Sequence, residues 1–424
     1  MLPAEAAIPV LDRVIERFAD YAAEALQLRA RDLDALSSSE SAAQARQSIL
    51  TQHSESEAAA ELRWRYAENA AEKQDLKAAY SWARQLTDAD GDSELGGKAA
   101  FWAGKWAQRL GQSEAARQAF EQTIRRYPES YYAWRAAANL GWPVGDFETV
   151  RSQVSEIALP SQRSPLPAGS ERLQELYQLG QDQDAWSLWQ SEFINLQEPT
   201  VAEQFTDGVM RLGVGDSLDG IFMVSSLAWR DRPEEKTQYT TLRQQPAYRQ
   251  ALYPFPFADL IEAGADEQAL NPLLVTALIR QESRFEPKIR SAVGAVGLMQ
   301  VMPDTADWIQ AQTGFDNINL ESPADNIRLG TWYLNYTHAE YSNNSLFAVA
   351  SYNAGPGNIA DWIERNNFAD LDEFVERIPF AETRGYVDSV FGGYWNYLQL
   401  YSPAIAQLIQ TNAEKPPAPL PELK

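Results

Sequence analysis

The chain has no cysteine and only two histidines, His53 and His338. No disulfide can form, and the absence fits any compartment. Zinc sites are built mainly from Cys and His, so none is expected and no cofactor is assigned. Both histidines read as solvated or packing residues. Positive charge is also scarce. Lys and Arg total 36 against 59 Asp and Glu, a formal net charge of -23. Phosphate binding needs a basic surface, so nucleic acid is excluded as a general partner. No run of about 18 apolar residues occurs, so no transmembrane helix is expected. The opening "MLPAEAAIPVLDRVIERFADYAAEAL" lacks a basic region followed by an apolar core, the mark of a secretory signal.

What is present suits a folded protein. The chain is 45% hydrophobic and 11% aromatic over 424 residues, enough for two or three domains with their own cores. Residues 1–150 are rich in Ala, Glu, Gln, Leu and Arg, all strong helix formers. Within "AAFWAGKWAQRLGQSEAARQAFEQTIRRYPES", Gly104, Ala116, Phe120 and Pro128 stand at the spacing of tetratricopeptide-like helix pairs. Small residues let two helices approach, the aromatic fills the gap and the proline ends the second helix. A weaker copy places Ala78 and Trp82 at 38 residues' distance, with Asp90 where the proline belongs. Composition breaks at "PSQRSPLPAGS" (160–170) and at Tyr253-Pro254-Phe255-Pro256. The expected division is a helical-repeat domain over 1–250, a second domain over 251–405 and a disordered proline-rich tail over 406–424. Two motif decoys fail on spacing. "DADGDS" has Gly91 at the wrong loop position for calcium, and "GVGDSL" has Leu218 where a dinucleotide fingerprint needs its third glycine.

Chemistry gathers late in the chain. In "NPLLVTALIRQESRFEP", Asn271-Pro272 starts a helix, and Val275, Leu278 and Ile279 mark its apolar stripe. The next position on that stripe is Glu282. Burial there, together with the negative end of the helix dipole, raises a carboxyl's pKa. A carboxylic acid protonated near neutrality is what a general acid requires. By helix phase alone, a structural glutamate at a frayed end reaching solvent is the commoner case. Three further stretches follow: "SAVGAVGLMQVMPDTA", "ASYNAGPGNI" and "RIPFAETRGYV".

These four stretches, in this order, resemble the catalytic domain of the soluble lytic transglycosylases, relatives of goose-type lysozyme that cleave bacterial peptidoglycan. The matching positions are Glu282-Ser283, Ser291, Gly297-Leu298-Met299-Gln300, Tyr352-Asn353-Ala354-Gly355-Pro356 and Glu382-Thr383-Arg384-Gly385-Tyr386-Val387, with Asn326, Ile327 and Gly330 in weaker agreement. The resemblance covers roughly residues 250–400. It implies an all-α chain: a tetratricopeptide-like superhelix followed by a lysozyme-like, mainly helical catalytic domain. It implies one catalytic carboxylate, Glu282, with substrate contacts from Ser291, Gln300, Met302, Tyr352, Asn353 and Tyr386. Glu382 would be a hydrogen-bonding residue that orients the site. The implied partner is the peptidoglycan glycan strand, and the implied location is the periplasm or cell envelope. Met302 and Tyr386 also fit core packing, as do Trp332, Tyr333 and Tyr336 on one helical stretch. Competing readings are a hydrolase using the same acid with water, and a helical scaffold carrying a silent lysozyme-like domain.

Overall fold

A computed structural model describes residues 3–89, 93, 95–153, 155–365, 368–416 and 419–423. Among these residues the chain forms 23 α-helices and three short 3-10 helices, and the β-pairing found is isolated bridges. It is all-α, as the sequence indicates. Two compact units divide it, one made of Met1–Trp142 with Ile409–Lys424 and the other of Pro143–Leu408.

In the first unit each of the helices Glu57–Glu72, Leu76–Ala89, Gly96–Arg109 and Ser113–Arg126 packs against the next. Ser56 and Ser130 cap helix starts by accepting from Ala59 N–H (3.2 Å) and Ala133 N–H (3.1 Å). The helix-pair signature has a steric basis. A Cβ added at Gly104 would lie 2.5 Å from the Phe120 ring, so only glycine admits that aromatic. The weaker copy is out of phase with expectation. Ala79, Tyr80, Ala83, Leu86 and Thr87 are the buried residues of Leu76–Ala89, while Ala78 and Trp82 are half-buried, Trp82 against Tyr66. Asp90 lies outside the described residues.

The tail departs from the expected disorder. A helix spans Pro403–Ala413, and Leu420 is buried. Tyr80 Oη donates to the Pro421 carbonyl (2.6 Å), Asn412 donates to the Glu121 carbonyl (3.1 Å) and Lys415 pairs with Glu121 (2.8 Å). Prolines do not prevent this, because an extended segment held through its carbonyls and one apolar side chain needs no N–H of its own.

The composition break near residue 250 falls inside the second unit. Residues before it form two apolar clusters, one around Leu173, Trp189 and Met210 and one around Phe205, Val224 and Tyr248. Beyond it, the long helix Ala381–Tyr401 buries residues on every side, the mark of a central core helix. Gly393 lets the helix Pro272–Ser283 approach, since a Cβ there would meet Ala277 Cβ at 3.3 Å. The stretch just after residue 143 joins this core through main-chain atoms and through Arg151, which donates to the Gln268 and Ala269 carbonyls and to Asn335 and Asn343. The Val144 carbonyl accepts from Tyr394 Oη (2.8 Å), the Val150 and Gln153 carbonyls accept from Asn271 (3.0 and 3.1 Å), and the Phe147 carbonyl accepts from Ser345 N–H (2.7 Å). His338 is a packing residue. Nδ1–H donates to the Leu334 carbonyl (2.8 Å) and Nε2 lies 2.9 Å from Ser345 Oγ, and burial, which pushes the ring down from 6.5 to about 4, favours its neutral form.

Candidate active site

The glutamate helix, Pro272–Ser283, starts as its sequence indicates. Asn271 accepts from Leu273 N–H at 3.0 Å, with Pro272 in the first turn. Val275, Leu278 and Ile279 are wholly buried, and Glu282 follows on the same stripe. The helix then stops abruptly. Arg284 (φ 47°) and Phe285 (φ 64°) both take left-handed backbone, which side-chain-bearing residues rarely adopt. Ser283 holds this turn. Its Oγ lies 2.8 Å from the Leu298 carbonyl and 3.1 Å from that of Ile279, and it accepts from Phe285 N–H at 3.1 Å. Phe285 is fully buried and anchors the exit.

The glycine-containing loop after it is built by Asn326. That side chain accepts from Met299 N–H (2.7 Å) and donates to the Val296 and Leu320 carbonyls (2.9 and 2.8 Å). Gly297, at φ 82°, is where it passes. A Cβ there would lie 2.4 Å from both Asn326 Nδ2 and the Leu320 carbonyl oxygen. Gly330 makes room for Met299, whose Cβ would sit 2.6 Å from an added methyl.

Glu282 meets the long helix directly. Tyr386 Oη donates to Glu282 Oε1 at 2.5 Å. Burial pushes the Glu282 carboxyl up from 4.5 to about 7. The Tyr386 bond acts the other way, because it favours the ionised form. Tyr352 donates to the Met299 carbonyl at 2.9 Å. Burial, then the Glu282 charge, pushes both phenols well above their usual range, so they stay protonated donors. Glu282, Tyr352 and Tyr386 therefore form one electrostatic cluster from three helices. The arrangement holds a carboxylic acid poised near neutrality beside two fixed hydroxyls.

The other residues singled out in the sequence have local roles of their own. Ser291 shapes the loop, accepting from Ala295 N–H at 3.0 Å. Gln300, at φ 48°, donates to the Gly297 and Ile289 carbonyls (2.9 and 3.3 Å). Met302 is exposed at the start of the helix Pro303–Thr313. Asn353 accepts from Thr383 Oγ1 at 2.8 Å, joining the helix Ser345–Ala354 to the long helix. Glu382 is exposed, and among the described residues its side chain makes no hydrogen bond. The bond to Glu282 comes instead from Tyr386, one turn further on.

Two contributors were not given a role from sequence. Thr383 carried no signal beyond its place beside Glu382, and Asn326 showed only as a weak motif match. Trp332, Tyr333 and Tyr336, read as core, are half-buried, and Trp308 beside them is exposed. A hollow of about 770 Å³ beside Arg151, Asp259, Glu262 and Asp266 contains none of the Glu282 cluster. Chemistry rather than cavity size therefore locates the site.

Residues 259–375 match the transglycosylase SLT domain family, and residues 98–130 match a tetratricopeptide repeat. The soluble lytic murein transglycosylase of Escherichia coli K12 is 37% identical over 160 residues, 36% of this chain and 25% of that protein. Its Salmonella typhimurium counterpart is 40% identical over 143 residues, 32% of this chain and 22% of that one. A solved structure of the lytic transglycosylase Slt of Pseudomonas aeruginosa, an inactive glutamate-to-glutamine mutant, is similar in fold. The TM-score is 0.55 at 21% identity, with 97% of this chain and 63% of that chain covered. The sequence match thus spans about a quarter of the length of the Escherichia coli relative. Residues 259–375 thus carry a transglycosylase SLT domain.

Proposed function

We propose that this protein is a peptidoglycan lytic transglycosylase. It cleaves the β-1,4 bond between N-acetylmuramic acid and N-acetylglucosamine and leaves a 1,6-anhydromuramoyl end. The observation that carries the reading is the half-buried Glu282 carboxyl, raised to about 7 and held by Tyr386 at 2.5 Å. In the first step the Glu282 carboxylic acid gives its proton to the glycosidic oxygen as the C1–O bond breaks, releasing the N-acetylglucosamine side as an alcohol. The Glu282 carboxylate then takes the proton of the muramic C6 hydroxyl. The C6 oxygen bonds to C1, closing the anhydro ring and restoring the acid. No water is consumed.

Most glycosidases use two carboxyl groups about 5–9 Å apart. Among the described residues no second carboxylate contributes to the Glu282 shift, whose causes are burial and Tyr386. That favours one group working twice. Tyr386 keeps the carboxyl oriented between the two proton transfers. Gln300 spends its amide N–H groups on the loop, leaving its oxygen to accept from the sugar or its N-acetyl group. Ser291, Met302, Tyr352, Asn353 and Glu382 are proposed as further substrate contacts. The acidic domain, with 8 Lys and Arg against 20 Asp and Glu over residues 255–400, leaves recognition to shape and hydrogen bonds rather than charge steering. The substrate places the protein's work in the cell envelope.

Mass analysis of products from purified peptidoglycan tests the reading. Anhydromuramoyl ends are expected. Reducing ends alone would make the protein a hydrolase of the goose-lysozyme kind, and no products would leave the scaffold reading.

A further inference from the structure

The helix Pro323–Glu340 has two unlike faces. Ile327, Leu329 and Leu334 are fully buried, whereas Trp332, Tyr333 and Tyr336 stay half-exposed. Their spacing, i and i+3 or i+4, sets the rings side by side. Trp332 and Tyr336 lie parallel within 4° at 6.0 Å, and Tyr333 stacks on Tyr336 at 6.2 Å. Trp308, on the helix Pro303–Thr313, stands edge-on to Trp332 at 5.4 Å and to Tyr336 at 5.0 Å, with 37% of its surface exposed. The inner end of the row touches the Glu282 cluster, since Tyr333 meets Tyr352 at 5.3 Å. Four large rings are therefore held open to solvent yet fixed against each other, in unbroken contact with the proposed site.

Leaving such rings exposed forgoes burial energy that the aliphatic face of the same helix collects. An amphipathic ligand recovers it. A pyranose ring offers an apolar C–H face to an aromatic plane and a rim of hydroxyls to water. Trp and Tyr suit this, being apolar in body and polar at one tip. Mutual edge and face contacts already restrict the rings, so little rotamer freedom is lost on binding. We propose that Trp308, Trp332 and Tyr336 form a stacking subsite for a sugar residue of the glycan strand lying away from the bond that is cut. This rests on the transglycosylase reading above.

The test uses the full chain as Glu282→Gln, so that glycan is not consumed, and calorimetry with soluble peptidoglycan oligomers of one, two and four disaccharide units. Adding Trp308→Ala should weaken tetramer binding roughly tenfold, with a loss that grows with length, and Trp308→Phe should recover part of it. Unchanged tetramer affinity overturns the subsite. Equal loss at every length also overturns it, because Trp308 would then be supporting the site rather than touching sugar. If Trp308→Ala does not fold, the fluorescence change on tetramer binding is compared between Glu282→Gln and the same protein with Trp308→Phe. An identical change overturns the proposal. The parent reading fails by a separate measurement, the absence of anhydromuramoyl products from the wild-type protein.

Discussion

At the scale of single residues, the proton on Glu282 links stability to pH and, on the proposed function, activity as well. Its folded pKa of about 7 lies above the unfolded value near 4.5. The folded state therefore binds more protons between those values. The stability this contributes is present below pH 4.5 and lost as pH rises through 7, roughly 3 kcal/mol if the shift is fully expressed. Glu282→Gln removes the charge but not the shape. It should unfold at a higher temperature than wild type at pH 8 and at nearly the same temperature at pH 4. Turnover should fall by on the order of 10²–10⁴-fold. Calorimetric scans at the two pH values check the first, and product release checks the second. Tyr386→Phe should leave the carboxyl without its donor and raise its pKa further. The alkaline limb of the kcat/KM profile is expected to move up by about one pH unit, with a lower kcat. An unmoved limb would show that the 2.5 Å bond does not govern the proton.

At the scale of elements, the loop beside Glu282 depends on one side chain from a distant helix. Asn326 serves three backbone groups at once, so Asn326→Ala leaves the Met299 N–H and the Leu320 carbonyl unpaired, while the Val296 carbonyl keeps only Val301 N–H. The expected cost is about 2–5 kcal/mol, read by urea unfolding, with loss of activity before global unfolding as the loop detaches. His338 joins two helices in the same way. Burial pushes it down from 6.5 to about 4. Its contribution is complete above pH 6.5 and lost as pH falls toward 4, because only the unfolded state binds the proton in between. An NMR titration should find the His338 ring neutral until about pH 4. A midpoint near 6.5 would mean that the ring is not held between Leu334 and Ser345.

At the scale of the whole molecule, the chemical motifs and the compact unit do not coincide. Every chemical residue lies beyond 250, yet Asn271, Tyr394 and Ser345 bond to main-chain atoms of residues 144–153. A fragment of residues 143–408 is therefore expected to fold and to retain the bond specificity. A fragment of residues 251–408 leaves those partners unsatisfied and should unfold at markedly lower urea concentration or fail to accumulate. Equal stability of the two by circular dichroism would show that the preceding stretch is dispensable.

Local physics made much of this readable in advance. Helix phase marked Val275, Leu278, Ile279 and then Glu282, and Asn271-Pro272 marked where that helix starts. Small and aromatic residues at Gly104 and Phe120 marked a helix pair, because steric fit between adjacent helices is written in side-chain size. The tertiary structure alone decided which group holds Glu282. Tyr386 sits 104 residues away, and the exposed Glu382 was an equally plausible partner by type. It also decided that Trp332, Tyr333 and Tyr336 stay open and that the proline-rich tail is anchored. The part played by residues 144–153 was illegible because its partners are remote: Arg151 bonds to Gln268, Ala269, Asn335 and Asn343, and the Val144, Phe147, Val150 and Gln153 carbonyls accept from Tyr394, Ser345 and Asn271, none of which any local pattern announces.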